Sequence, residues 1–213
     1  MKISSGEYKG RVIKGPKYIR PTQGKVRKAL FDILGDIRGL SFLELFAGSG
    51  AVGFEAVSRG AEELTLVEYN RDCLQAIRKN IESMKIKACS LYPHEAQQAI
   101  EMLHKEGRKF DTIFLDPPYY NEEAPRLRSG STGNPQEQPL SKKTLKALGG
   151  YDILSRYGLV IVQHFKKDFL PEAAGDLTLI RQRRYGDTVL SFYRRIARQQ
   201  GRQGTVPFGD SPL

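Results

Sequence analysis

The sequence predicts an α/β fold in which a mostly parallel sheet carries helices on both faces. Two observations lead to this prediction. Short apolar runs alternate with amphipathic stretches of roughly ten to fifteen residues between Ser41 and Phe165, which is typical of βαβ units. A glycine-rich turn at residues 47–53 joins the first apolar run to the helix that follows. At 213 residues, the chain is expected to form one domain with small appendages.

Residues 1–39 are interpreted as a basic arm followed by a helix. Short β-prone pieces, broken by glycine and proline, predict a small β-hairpin or an irregular arm. Thr22 can cap the helix GKVRKALFDIL, and Gly35 can end it. Helical spacing predicts an apolar face made of Val26, Leu30, Phe31 and Ile33 or Leu34, with Lys25, Arg27 and Lys28 lying off that face.

Residues 40–195 are interpreted as the main domain. Strands are expected at SFLELFAG, ELTLVEYN, ACSLYP and FDTIFLDPPYYN, with helices at AVGFEAVSRGA, DCLQAIRKNIESMK and HEAQQAIEMLHKEG between them. Residues 121–139 lack any apolar period and predict a mobile insert loop before a helix around 140–148.

The C-terminal part is expected to complete the sheet. LVIVQHF reads as a strand, and LTLIRQRRYGDTVLSFYRR predicts a closing β-hairpin with its turn at residues 185–187. Residues 196–213 are polar and aperiodic, which predicts a disordered tail.

The composition argues against several classes of protein. No stretch approaches eighteen consecutive apolar residues, so a membrane span is not expected. The N-terminus lacks the apolar segment of a secretory signal. Two cysteines and three scattered histidines favour neither a disulfide framework nor a metal site, so we expect a cytoplasmic protein without a bound metal.

The net charge of +10 is concentrated at the two ends of the chain. Residues 1–40 hold ten Lys/Arg against three acids, and residues 181–202 hold seven arginines against one acid. Two basic ends on a nearly neutral body favour a nucleic acid as partner over a role in solubility alone. The hairpin arginines Arg183, Arg184, Arg194 and Arg195 either contact RNA phosphates or form a solvated rim.

The glycine-rich turn fits G-x-G-x-x-G through Gly48, Gly50 and Gly53. It follows a predicted strand and opens a helix, and Glu68 ends the next strand, where it can accept the hydroxyls of a ribose. NAD and S-adenosylmethionine both contain an adenosine, so this pattern alone serves both. Glu44, at the end of the first strand, is expected to face the crevice, where its charge opposes a pyrophosphate and suits the ammonium and sulfonium of S-adenosylmethionine.

The tetrad Asp116-Pro117-Pro118-Tyr119 ends another predicted strand at the same edge of the sheet. Proline has no N–H, so the carbonyls here are free to accept, and Asp116 adds a carboxylate acceptor. Tyr119 offers a ring face for stacking. This set suits an amino group on an aromatic base, which must be unpaired or flipped out to enter. A rigid turn that merely closes the strand is the plainer alternative.

These motifs resemble the RsmD-type family of bacterial 16S rRNA guanine-N2 methyltransferases. The resemblance covers about residues 2–195 and rests on SGEYKGR, RPT, VRKALF, LFAGSGAVGFEAVSRGA, VEYN, LDPPY and YGDT. It implies a seven-stranded, Rossmann-like S-adenosylmethionine-dependent methyltransferase sheet with an N-terminal β-hairpin and helix. It also implies S-adenosylmethionine as methyl donor and a guanine of 16S rRNA, or of the small-subunit particle, as acceptor. We expect a monomer.

The resemblance assigns roles to particular residues. Those implied to bind the cofactor are Glu44, Phe46, Ala47, Gly48, Ser49, Gly50, Glu68, Tyr69 and Glu95. Those implied to hold the guanine amine are Asp116, Pro117, Pro118 and Tyr119. Those implied to contact RNA are Lys9, Arg11, Arg20, Lys25, Arg27 and Lys28. The chain departs from the family pattern at Gly24 and Lys28, where acids are usual, at Gln163-His164, where an acid is common, and in the longer insert after the tetrad.

Three alternatives remain open at this point. A DNA adenine-N6 methyltransferase can carry the same tetrad, although the chain has no obvious target-recognition domain. A non-catalytic RNA-binding assembly factor would not need the intact glycines, Glu68 and the tetrad. An NAD-dependent oxidoreductase is disfavoured by Glu44 and by the lack of an acid/base pair for hydride chemistry.

Overall fold

The structure, a computed structural model, describes residues 1–19, 24–118 and 138–195. Four features predicted from the sequence lie outside these ranges: the cap at Thr22, the ring of Tyr119, nearly all of the insert loop and the C-terminal tail. Arg20 also lies outside them.

Thirteen helices and strands occur in the described ranges, and their order follows the predicted alternation. They are α1 (Gly24–Leu34), β1 (Ser41–Leu45), α2 (Ala51–Ser58), β2 (Glu63–Val67), α3 (Arg71–Met84), β3 (Cys89–Tyr92), α4 (Ala96–Lys105), β4 (Phe110–Leu115), α5 (Leu140–Gly150), β5 (Leu154–Phe165), β6 (Ala173–Ala174), β7 (Leu177–Tyr185) and β8 (Thr188–Arg195). None of the helices within the described ranges combines the length and the hydropathy needed to cross a membrane.

The strands form one eight-stranded sheet in the order β3-β2-β1-β4-β5-β8-β7-β6. Strands β1 to β5 run parallel, and β8 returns antiparallel to β5. The sheet has one strand more than the predicted seven because the two-residue β6 pairs with the edge of β7. The chain order reverses between β1 and β4, so the topological switch point, where ligands bind in open α/β sheets, lies between these two strands.

Alternation along the strands divides the core into two faces. On the α1–α3 face, α1, α2 and α3 cover strand residues that include Phe42, Leu66, Phe114, Ile161 and Phe192. On the α4–α5 face, α4 and α5 cover strand residues that include Leu43, Val67, Ile113, Val160 and Tyr193. Successive side chains along a strand point to opposite faces of the sheet. A residue that lies two positions from one of these core residues on the same strand therefore shares its face.

The N-terminal segment packs against α2 and α3. The predicted hairpin is reduced to one antiparallel bridge between Lys2 and Val12. Glu7 N donates to the Ser58 carbonyl over 2.8 Å, at the C-terminal end of α2. Gly6 has φ of 83°, and a Cβ there would lie 1.6 Å from the same carbonyl oxygen, so this approach requires glycine.

The structure confirms the closing β-hairpin that the sequence predicts. Strands β7 and β8 pair antiparallel, and Tyr185 lies opposite Thr188 across the predicted turn. Gly186 in that turn has φ of 63°, a left-handed conformation that glycine adopts without steric cost.

Candidate active site

Four polar side chains meet at the carboxyl ends of the central strands. They are Glu44 in β1, Glu68 directly after β2, Asp116 directly after β4 and Gln163 in β5. Each lies two residues beyond a strand residue buried on the α1–α3 face, namely Phe42, Leu66, Phe114 and Ile161. All four side chains therefore belong to the same face of the sheet, around the switch point between β1 and β4.

The loop between β1 and α2 turns sharply beside these residues. Gly48 and Gly50 have φ of 56° and 75°, and a Cβ on Gly50 would lie 2.7 Å from the Phe54 ring. Phe46 also has a positive φ, 60°, which is a strained conformation for a residue that carries a Cβ. Such strain is concentrated at functional sites, and the sequence pattern alone gave no sign of it at Phe46.

Glu44 is buried beneath this loop, with only 3% of its surface exposed. Its carboxyl group therefore lies beneath the loop, on the face of the sheet that bears Glu68 and Asp116, and is shielded from solvent. Its Oε2 accepts a hydrogen bond from Gly53 N over 2.8 Å, and a Cβ on Gly53 would lie 2.9 Å from that oxygen. Burial raises the pKa of Glu44 to about 8, opposed by the backbone N–H groups of α2 and reinforced by Asp116 and Glu68.

Glu68 joins the glycine loop to the end of β2. Its Oε2 accepts from Gly48 N over 2.7 Å, and its Oε1 accepts from Tyr69 N and Asn70 N over 2.9 and 2.8 Å. Three backbone donors thus fix the carboxylate. Each oxygen of a carboxylate can accept two hydrogen bonds, so Oε2 keeps capacity for a ligand hydroxyl.

Asp116 is held by the neighbouring strand. Gln163 Nε2 donates to Asp116 Oδ2 over 2.7 Å, and Gln163 is only 4% exposed. Asp116 itself is partly exposed, Pro117 is buried and Pro118 is exposed. The contact fixes the position of the Asp116 carboxyl group at the carboxyl end of β4.

The other residues implied to bind a cofactor lie around the same edge. Ala47 is buried and Ser49 partly buried within the glycine loop, and Tyr69 is exposed directly after Glu68. Glu95 is exposed at the N-terminus of α4, three residues after β3. The loop residues and Tyr69 therefore lie next to the four polar side chains, and Glu95 lies farther along the same edge of the sheet.

The residues implied to contact RNA that the structure describes belong to the N-terminal segment and to α1. Lys9 and Arg11 are exposed, but they belong to the loop that packs on Ser58. Ser58 ends α2, about 12 Å from the glycine loop at 1.5 Å per helical residue. Lys25 and Lys28 are exposed on the first turns of α1.

Arg27 was predicted to lie off the apolar face of α1, but the structure buries it. It is 3% exposed and lies 3.5 Å from the Glu55 carboxylate, and its Nη2 donates to the Lys2 carbonyl over 2.6 Å. Burial lowers the pKa of Arg27, opposed by the charge of Glu55. A guanidinium held in this way cannot contact a phosphate without losing its buried partner, so its position favours a structural role.

Sequence reasoning missed two buried polar residues that attach the N-terminal segment. Glu55 is fully buried and accepts from Ser4 N and Oγ over 2.8 and 2.6 Å, besides pairing with Arg59 over 2.9 Å. Asn80 donates to the Lys14 carbonyl over 2.8 Å and accepts from Lys14 N over 3.1 Å. Arg59 directly follows α2 and lies four residues after Glu55, and this spacing was a signal for the first of these.

His164 is buried on the α4–α5 face, away from Asp116. Its Nε2 lies 2.8 Å from Ser191 Oγ and its Nδ1 lies 3.0 Å from the Phe165 carbonyl oxygen. Burial lowers the pKa of His164. These contacts assign it a structural role, as is usual for a lone buried histidine.

Comparisons with a family model, with similar sequences and with solved structures all point to the same family. The family described as "Conserved hypothetical protein 95" matches residues 1–129. The chain is 33% identical to "Putative rRNA methyltransferase YlbH" of Bacillus subtilis (strain 168), over 92% of this chain and 99% of that one. It is 29% identical to "Ribosomal RNA small subunit methyltransferase D" of Escherichia coli (strain K12), over 92% and 91% of the two chains.

A solved structure shares the fold. "Putative methyltransferase yhhF from Escherichia coli" superposes with a TM-score of 0.74 at 28% identity, over 92% of this chain and 97% of that chain. The family match spans more than half of the chain, and its relatives match over nearly their whole length. The chain therefore belongs to the RsmD-type family and has the predicted methyltransferase fold.

Proposed function

We propose that this member of the RsmD-type family transfers a methyl group from S-adenosylmethionine to the exocyclic N2 amine of a guanine in 16S rRNA. The observation that carries the proposal is the placement of Asp116, held by Gln163, beside the glycine loop at the switch point of the sheet. An acceptor for an amine and a loop suited to an adenosine ligand then belong to one crevice. The names of the similar methyltransferases, which refer to ribosomal RNA, support the class of acceptor.

The residues around the loop suit the proposed donor. Positive φ angles at Gly48 and Gly50 turn the loop sharply at the carboxyl end of β1, as the loop of an adenosine-binding site does. Glu68 is fixed by three backbone N–H groups and keeps acceptor capacity for a ribose hydroxyl. Glu44 forms no ion pair among the described residues, and burial raises its pKa to about 8, so a cationic ligand in the crevice would favour the ionised form of its carboxyl group. When bound, S-adenosylmethionine supplies an electrophilic methyl group on its sulfonium.

Asp116 is the residue that recognises the amine. The N2 lone pair of guanine is drawn into the ring, which makes this nitrogen a poor nucleophile. A carboxylate that accepts an N2 hydrogen returns electron density to the nitrogen and stabilises the positive charge that develops there during transfer. The nitrogen would form its bond to the methyl carbon as the bond from that carbon to the sulfonium sulfur breaks, which leaves S-adenosylhomocysteine, and the N2 proton would depart to solvent by way of the hydrogen bond to Asp116. Holding the amine in line with the methyl group contributes through proximity and orientation.

The test is methyl transfer from labelled S-adenosylmethionine to three acceptors: small-subunit particles that lack the modification, free 16S rRNA and duplex DNA. The products are digested to nucleosides and separated. We expect label in N2-methylguanosine from the particle or the RNA. If the label appears only as N6-methyladenine in DNA, the proposal is wrong and the protein is a DNA methyltransferase. A chain that binds the cofactor and RNA but transfers no label would be a binding factor.

A further inference from the structure

The β7–β8 hairpin carries two arginines in line with the Asp116 crevice. Gln163, which holds Asp116, is paired across the sheet with Leu190 of β8, and Leu190 is paired with Arg183 of β7. Neighbouring strands are about 4.8 Å apart, so the Arg183 backbone lies three spacings, or roughly 14 Å, from Asp116. Arg181 lies two residues earlier on the same strand.

A β-bulge turns both arginines toward the face of the sheet that bears Asp116. Before the bulge, Leu179 pairs with Tyr193 and packs on the α4–α5 face. The register then shifts, and Arg181 pairs with Phe192, whose ring lies on the α1–α3 face. Residues paired directly across strands share a face, so Arg181 and Arg183 share the face of Asp116. Without the inserted Ile180, strict alternation would turn both arginines to the opposite face.

The two guanidinium groups keep their charge available. Both side chains are exposed, and neither has a carboxylate partner in the part of the chain that the structure describes. The acid of the hairpin turn, Asp187, pairs instead with Lys166 over 2.7 Å. By contrast, Arg195 at the other end of the hairpin pairs with Asp152 and Asp176 over 2.5 and 2.7 Å and is neutralised.

We propose that Arg181 and Arg183 bind phosphates of the RNA strand that carries the target base. This inference rests on the proposed function, and it names the surface that holds the strand while one base enters the crevice. Arginine suits this role because its guanidinium fork binds a phosphate through paired hydrogen bonds. The distance from Asp116 leaves room for a base and its sugar between the crevice and the arginines. Among the hairpin arginines, Arg181 and Arg183 then contact RNA, whereas Arg195 has a structural role.

The experiment compares the double variant Arg181→Gln/Arg183→Gln with Arg194→Gln. Arg194 is a matched control because it is exposed, lacks a carboxylate partner among the described residues and lies on the same face two residues after Phe192, at the far end of the hairpin. Methyl transfer to the unmodified small-subunit particle gives kcat and KM. Binding of free 16S rRNA at several salt concentrations gives the slope of log Kd against log salt.

We expect the double variant to raise KM for the particle by roughly tenfold or more, because each of its substitutions loses charged hydrogen bonds to the RNA. The value of kcat should not change, because these contacts hold the RNA equally well before and during methyl transfer. Its salt slope should fall by about 0.7 to 0.9 per phosphate contact removed, while Arg194→Gln behaves like the wild type. An unchanged slope, or an equal change in Arg194→Gln, would overturn the inference. If the wild type transfers no methyl group, the proposed function fails, but the salt slope still tests the arginines.

Discussion

The side-chain amide of Gln163 donates a hydrogen bond to the carboxylate of Asp116, with 2.7 Å between Nε2 and Oδ2. The contact joins the buried end of β5 to the residue that begins the proline turn after β4. It fixes one carboxylate oxygen of Asp116 at the edge of the crevice. Gln163 thus positions the Asp116 carboxylate at the carboxyl end of β4.

Gln163→Leu is expected to lower kcat by roughly tenfold or more, because a hydrogen bond to a charged group is worth about 1.5 to 3 kcal/mol. The affinity for S-adenosylmethionine should not change, since Gln163 belongs to the acceptor side of the crevice. Gln163→Glu distinguishes positioning from a purely structural role. Two adjacent carboxylates share a proton, so its rate should acquire a new dependence on pH near neutrality. Wild-type kcat in the leucine variant would refute this role.

Glu44 should make stability depend on pH. Its pKa rises from 4.5 in the unfolded chain to about 8 in the folded protein, so between these values the folded state binds a proton that the unfolded state has released. Its contribution to stability is full below pH 4.5 and is lost as the pH rises toward 8. In urea denaturation from pH 5 to 9, the free energy of unfolding of the wild type relative to Glu44→Gln should fall with pH and level off above about 8. A difference that is constant with pH would contradict the assignment.

Gly53→Ala should destabilise the protein and weaken cofactor binding. The new Cβ would lie 2.6 Å from Leu64 Cδ1 and 2.9 Å from Glu44 Oε2, so these buried side chains or the start of α2 must shift. Overpacking of this kind costs about 1 to 3 kcal/mol. Gly150→Ala is the matched control, because its Cβ would meet nothing within 4 Å in α5. Thermal unfolding and cofactor titration of both variants provide the measurement, and equal behaviour would argue against steric exclusion at Gly53.

Arg27 and Lys28 are adjacent in α1, but they should respond differently to substitution. Arg27→Met removes a buried partner of Glu55 and should lower the free energy of unfolding by about 3 kcal/mol. Lys28→Met removes an exposed charge and should leave stability nearly unchanged while weakening RNA binding. Denaturation and RNA titration of the two variants separate these effects. A stable Arg27→Met protein with weakened RNA binding would restore the interpretation made from the sequence.

The fold and the position of the crevice could be predicted from sequence because they depend on local patterns. Apolar periodicity placed β1 to β5 and the helices, and the glycines with Glu68 and Asp116 marked the carboxyl ends of strands. The fate of Arg27 could not be predicted in this way, since its burial depends on Glu55, which is distant in sequence. The β-bulge at Ile180 was equally hidden, because one inserted residue changes the face of every following side chain without altering composition.

The central claim is that Asp116 accepts the amine that receives the methyl group. The most direct measurement is a single-turnover reaction of wild type and Asp116→Asn with labelled S-adenosylmethionine and unmodified small-subunit particles, with cofactor affinity measured in parallel. We expect N2-methylguanosine from the wild type, a loss of transfer in the variant and nearly equal cofactor affinity in both. Transfer by Asp116→Asn at the wild-type rate, or an equal loss of transfer and cofactor binding, would contradict the account.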